Sequence, residues 1–180
     1  MKRTTVTLCL ALCLLLFPSP SWSKQRAKAP RTVLDYFLLL PRNRYFERAM
    51  HTPAQRLQWL RGTRPHSVVD IANDYIFSIG DGVQPPLTVA LFRFRGRVTV
   101  AVLAEWEDGR LDFLRFERGE WRNVTRQVLP IAYSAKHFYA IPRRGTTIQV
   151  LSGRDWTAER KPPRRHLYDL VWKNGRFEKR

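Results

Sequence analysis

Residues 87–124 read LTVALFRFRGRVTVAVLAEWEDGRLDFLRFERGEWRNV, and their pattern decides the fold. Apolar residues recur at every second position in four runs rich in β-branched and aromatic side chains. That is the signature of strands. The spacing predicts strands over 87–94, 97–106, 111–117 and 120–124. Three pairs separate them: Arg95-Gly96, Asp108-Gly109 and Arg118-Gly119. Asp-Gly between alternating runs is a strong signal for a two-residue hairpin loop, and Arg-Gly is a weaker version of it. Four strands joined this way make an antiparallel meander.

Two-residue loops also specify a register. A loop at Arg95-Gly96 pairs Leu91 with Val100 and Val89 with Val102. A loop at Asp108-Gly109 pairs Trp106 with Leu111 and Ala104 with Phe113. These residues then share one face with Val98, and Ala90, Phe92, Thr99, Ala101, Leu103, Leu114 and Phe116 share the other. Both faces are substantially apolar. The sheet is therefore expected to be covered on both sides, by helices on one and by further strands or loops on the other. A closed or strongly curled sheet is the other solution. The same register makes Glu105 and Asp112 cross-strand neighbours.

Upstream, Thr32 with Asp35 and the run Thr52-Pro53-Ala54-Gln55 carry helix N-terminal signals. Two short helices are expected, one over 33–40 stopped by Pro41 and one from 53 ended by Gly62. Residues 68–72 and 75–79 read as a hairpin around Asn73-Asp74. Downstream, 138–141 and 147–151 flank Arg143-Arg144-Gly145. Residues 167–172 and 176–178 flank Asn174-Gly175, the best two-residue turn in the chain. The form apolar-x-aromatic-x-x-Gly-x-apolar repeats at 104–111, 114–121 and 170–177. It reads as an aromatic opposite an apolar partner across a tight turn, a pair worth about 0.2–1 kcal/mol. The expected fold class is α+β and β-dominant, an antiparallel β-meander of about six to ten strands with two short N-terminal helices.

The chain has 180 residues, 32 Lys and Arg against 15 Asp and Glu, a net charge of +17 and 44% hydrophobic residues. That balance excludes a disordered polar tail and a collagen-like or low-complexity chain. Residues 1–23 read as a signal peptide. Lys2 and Arg3 precede an apolar run from Val6 to Phe17, and Ser21 and Ser23 supply small residues for cleavage. Residues 24–31 are expected as a flexible basic lead-in, and 32–180 as a single β-rich domain. Cys9 and Cys13 leave with the signal peptide, which excludes disulfides and thiol chemistry from the mature chain. An exported, cysteine-free chain fits a bacterial periplasmic or extracellular protein. Its mature charge is +15 once Lys2 and Arg3 are removed. No later run is long and apolar enough for a transmembrane span.

No nucleophile elbow, phosphate loop, dinucleotide fingerprint or helical His pair occurs, so neither a metal nor a cofactor is expected. Two groups of charged residues remain. Glu105 and Asp112, if adjacent, could form the acid/base pair of a small carboxylate-dependent hydrolase. Arg93, Arg95 and Arg97 crowd one turn with Phe92 and Phe94 between them, a combination suited to anions. Arg164 and Arg165 form a second candidate patch, and Arg42, Arg44 and Arg48 a third. Export argues against nucleic acid as the main partner. The expected function is a non-enzymatic, exported or envelope-associated binding domain. Its arginines would contact an anionic envelope component or an acidic protein. The alternatives are the hydrolase and a structural or assembly subunit of the cell envelope.

Overall fold

The computed structural model describes residues 29–46, 52–63, 66–81, 83–105, 109–153 and 164–180. The expected signal peptide, both cysteines, most of the basic lead-in, Arg48 and residues 106–108 lie outside them. Within them the elements run α1 (Val33–Leu39), α2 (Arg42–Tyr45), α3 (Pro53–Gly62), β1 (Val68–Asp70), β2 (Tyr75–Ser78), β3 (Leu87–Phe94), β4 (Arg97–Ala104), β5 (Arg110–Glu117), β6 (Glu120–Asn123), α4 (Thr125–Val128), β7 (His137–Ala140), β8 (Thr147–Ser152), β9 (His166–Lys173) and β10 (Arg176–Lys179). β1 to β6 form one antiparallel meander in chain order, and β7 to β10 form a second. The β-dominant, antiparallel class expected from the pattern is the one observed. No helix of the described residues is long and apolar enough to cross a membrane.

Both expected helices start with reciprocal capping. Thr32 Oγ1 accepts from the Asp35 N–H, and the Asp35 carboxylate accepts from the Thr32 N–H. Thr52 and Gln55 repeat the exchange at α3. Such boxes satisfy donors that a helix start leaves open. Gly62 is the last residue of α3, not the residue beyond it. Thr63 follows and donates its hydroxyl to the Trp59 carbonyl at 3.0 Å. Arg56 ties the two helices together. It is 2% exposed and donates to the Leu38 and Leu40 carbonyls at 2.9 and 2.8 Å, over the Phe46 ring. Burial, with the nearby charge of Arg42, pulls its pKa down to about 10.

The β3–β4 register is the expected one, with Leu91 opposite Val100 and Val89 opposite Val102. Arg95 and Gly96 both have positive φ, 46° and 75°, as a two-residue type I′ loop requires. The β4–β5 register corrects the sequence expectation. Ala104 pairs with Arg110, not Phe113, and Val102 pairs with Asp112. β4 ends at Ala104 and β5 starts at Arg110, so a two-residue loop at Asp108-Gly109 does not join them. The slip is odd-numbered, and an odd slip turns every side chain of β5 to the other face. Leu111 and Phe113 join the Phe92 face, while Asp112 and Leu114 join the Val102 face.

Packing explains that choice. On one face Val89, Leu91, Val100, Val102 and Leu114 pack under Phe37, Leu40, Tyr45 and Leu60 of the helical layer. On the other, Phe92, Leu111 and Phe113 meet Ile148, Val150, Leu170 and Phe177 of the second sheet. Phe92, Phe113 and Phe177 form a triangle with ring centroids 5.0 to 6.4 Å apart. Two of the three repeat copies form the expected cross-turn pair, Phe116 opposite Trp121 and Trp172 opposite Phe177. In the first copy Leu111 pairs with Leu103 instead. The sheet is covered on both sides, by helices on one and strands on the other.

Candidate anion-binding cleft

β6 ends at Asn123, paired with Leu114 of β5. The chain then turns into α4, leaving residues 110–113 of β5 with no strand beside them on that edge among the described residues. One backbone bond, from the Val124 N–H to the Phe113 carbonyl at 2.8 Å, and two side chains close the backbone there. The Phe113 N–H donates to Thr125 Oγ1 at 2.9 Å, and the Thr125 N–H donates to Asn123 Oδ1 at 2.9 Å. Asn123 and Thr125 belong to an Asn-x-Thr sequon, and here both serve the fold. Where β6 gives way, a cleft of about 670 Å³ opens between α2, the start of β5, α4 and residues 129–133. Small-ligand sites typically enclose about 300–1,000 Å³.

Asp112 sits at the root of this cleft, 5% exposed. Arg44 Nη2 and Asn123 Nδ2 donate to its Oδ1 at 2.9 and 2.8 Å. Arg44 Nε, the Tyr45 hydroxyl and Arg110 Nε donate to Oδ2 at 3.1, 2.8 and 2.6 Å. A carboxylate offers roughly four lone-pair sites, so Asp112 is saturated. Burial alone would raise its pKa. The hydrogen bonds from Arg44 and Tyr45 and the charges of Arg44 and Arg110 outweigh it, and hold the carboxyl below its ordinary range. Burial first, and then the charge of Asp112, push the Tyr45 hydroxyl well above its own. Tyr45 therefore remains a proton-bearing donor.

The expected pairing of Glu105 with Asp112 is not formed. The corrected register puts Asp112 opposite Val102, toward the helices. Glu105 follows β4, gives its N–H to the Pro86 carbonyl at 2.9 Å and lies in a notch with Leu103, His137 and Tyr139, on the other side of the sheet. An ionised, saturated carboxylate also has no lone pair to offer a substrate proton.

Three arginines line the cleft: Arg44 from α2, Arg110 from β5 and Arg126 from α4. The Arg44 and Arg110 side chains are 33% and 49% exposed, and Arg126 is exposed. A guanidinium has five N–H donors. Asp112 takes two from Arg44 and one from Arg110. Among the described residues one carboxylate stands against three guanidiniums, a positive surplus. Sequence reasoning placed Arg44 only in a charge patch and did not join it to Arg110 and Arg126, which lie far from it in the chain.

The arginines singled out from sequence are arranged differently. Arg93 is spent on Asp74 in a two-pronged pair, 2.6 and 2.8 Å, and also donates to the Arg31 carbonyl at 3.0 Å. Arg93 pairs across the sheet with Val98, and Arg97 with Phe94, so the two project from opposite faces. Arg95 stands over the Phe94 ring, 5.2 Å from its centroid. Arg97 lines a small notch of about 110 Å³ with Arg115, Trp172 and Gly175. Arg164 lies on the Phe138 ring at 3.6 Å, and the Arg165 backbone bonds to Ser152. Both stand at the far end of β9 from Trp172, whose indole N–H donates to the Arg93 carbonyl. The structure therefore brings Arg44, Arg110 and Arg126 together, and does not converge Arg93, Arg95 and Arg97 on one point.

Comparison of the chain with family models, with curated proteins and with solved structures found no match.

Proposed function

We propose that this protein is an exported, non-enzymatic binding domain that holds an anionic group of its partner in the cleft at the β5 edge. One observation carries the reading: three arginines from three separate elements line one open cleft whose only carboxylate among the described residues is already saturated. Arg44 and Arg110 are held in place by Asp112, which lowers the entropy lost when they grip an anion. Arg126 supplies charge with no ion-pair partner among the described residues. The cleft is oriented for planar or tetrahedral oxyanions, because a guanidinium presents paired N–H donors to either. An anionic component of the cell envelope, met after export of residues 24–180 to the periplasm or medium, is the partner this chemistry suits. Arg95, Arg97, Arg164 and Arg165 would add long-range attraction and not the grip itself.

Calorimetric titration with inorganic phosphate at low salt tests the reading. We expect saturable binding that weakens about fivefold to tenfold in Arg126→Ala, the loss of one charge-assisted contact. Arg95→Ala and Arg97→Ala should change it less than twofold. Binding lost with Arg95 and Arg97 but kept without Arg126 would move the site to the turn. No saturable binding of the anion at low salt would end the proposal.

A further inference from the structure

Part of the lining that the arginines share is apolar. Leu111 and Leu129, 2% and 9% exposed, line it together with the half-buried Ile131 and Tyr133. Tyr133 is held by its ring stack on Tyr139, centroids 5.2 Å apart. A site for a bare ion would not need this apolar lining, and would not need about 670 Å³. A ligand with an oxyanion head and an apolar body would use both parts, because ligand pockets combine apolar surface with a few placed polar groups. The apolar part is fixed by the core: Leu111 and Leu129 belong to the cluster between the two sheets. The cationic part is fixed separately by the Asp112 bonds. Neither part has to be assembled by the ligand.

From this geometry we infer that the cleft takes an amphipathic oxyanion, a carboxylate or phosphate carried on an apolar chain or ring. The head lies among Arg44, Arg110 and Arg126. The body lies along Ile131 and Tyr133. The inference rests on the anion-binding reading above, and names the class of ligand for that same cleft.

A homologous series separates the two claims. The protein is titrated with acetate, butanoate, hexanoate and octanoate below their micelle concentrations, and with inorganic phosphate against hexyl phosphate. Burying a methylene contributes about 0.8 kcal/mol, close to a fourfold gain in affinity. We expect a gain of roughly threefold to fourfold per added methylene until the cleft is filled. Ile131→Ser should flatten that slope. The carboxylate and phosphate arms show which head the arginines prefer. If small anions bind and chain length adds nothing, the amphipathic inference is overturned and the anion-binding reading stands. If the long-chain ligands bind equally well in Arg126→Ala, the apolar lining acts without the arginines and the inference is again overturned. If nothing binds, both claims fall. The unmodified protein alone decides the chain-length question, so a misfolded Ile131→Ser would not leave it open.

Discussion

Arginines gather near both ends of β4, and the two ends use them in opposite ways. At the Arg95-Gly96 turn three arginines lie within five residues of sequence, yet strand alternation sends Arg93 and Arg97 to opposite faces. Toward the other end, beside Val102, Asp112 gathers Arg44 and Arg110 from positions 66 residues apart in sequence. The turn spends Arg93 on Asp74 and leaves Arg95 and Arg97 exposed. The cleft concentrates positive charge on a buried carboxylate and keeps a surplus. The difference teaches that a run of cations along a strand is a poor guide to a site, because neighbours in a strand do not face each other. A single buried acid is a better guide, since it must collect donors to be tolerated.

The sharpest way to break the comparison is to remove the collecting group. Asp112→Ala leaves two guanidiniums facing each other without their acceptor. Removing one partner of a buried pair costs about 3–5 kcal/mol, and water reaching both arginines puts this case near 3 kcal/mol. Urea denaturation should report it as a lower midpoint with little change in slope. A loss below 1 kcal/mol would mean that Asp112 organises nothing.

The pH dependence follows from the same group. Its folded pKa lies below its unfolded value near 3.9, so its contribution is fully present above about pH 5. That contribution is lost as pH falls through 4 toward the folded pKa. Asp112→Asn should flatten the acid limb of the stability curve relative to the unmodified protein. An acid limb of unchanged steepness would assign acid unfolding to other carboxylates.

How much of this was legible beforehand differs between the two ends. At the turn, Arg95-Gly96 is a true two-residue loop, so counting residues from it gives the correct register for β3 and β4. At the cleft the same arithmetic fails. The strands part at Ala104 and Arg110, not at Asp108-Gly109, and the β5 register follows the demand of Leu111 and Phe113 for the Phe92–Phe177 face. With both faces of the sheet apolar, hydrophobic alternation could not choose between registers, and the fate of Asp112 hung on that choice. The capping boxes at Thr32 and Thr52 were legible because their signal is local. The cleft depends on where β6 stops and on α2 and α4, single-turn helices with no periodicity to read. One clue was available: Asp112 is a lone acid amid alternating apolar residues, a residue that must be either solvated or multiply paired.

A smaller effect is expected at Arg93. Its bidentate pair with Asp74 is half exposed, 47% on the arginine side, so solvent screens it. Arg93→Ala should cost about 1 kcal/mol or less at low ionic strength, and the difference should shrink further in 0.5 M salt. A salt-independent loss approaching that of Asp112→Ala would place Arg93 among the buried organisers and erase the contrast between the two ends.

The smallest predicted effect has the opposite sign. Arg95 holds φ at 46°, a left-handed conformation that costs an ordinary side chain about 1–2 kcal/mol and costs Asn less. Asn174 occupies the equivalent position in the β9–β10 turn, with φ at 53°. Arg95→Asn removes that strain and also removes an exposed contact with the Phe94 ring, worth about 0.5 kcal/mol. The strain is the larger quantity, so the variant should be more stable by about 0.5 kcal/mol in urea denaturation. Stabilisation would mean that Arg95 is retained against the interest of the fold, as expected of a residue whose charge acts on something outside the molecule. Destabilisation would make the Phe94 contact the reason for the arginine, and the turn would then hold no spare charge for a partner.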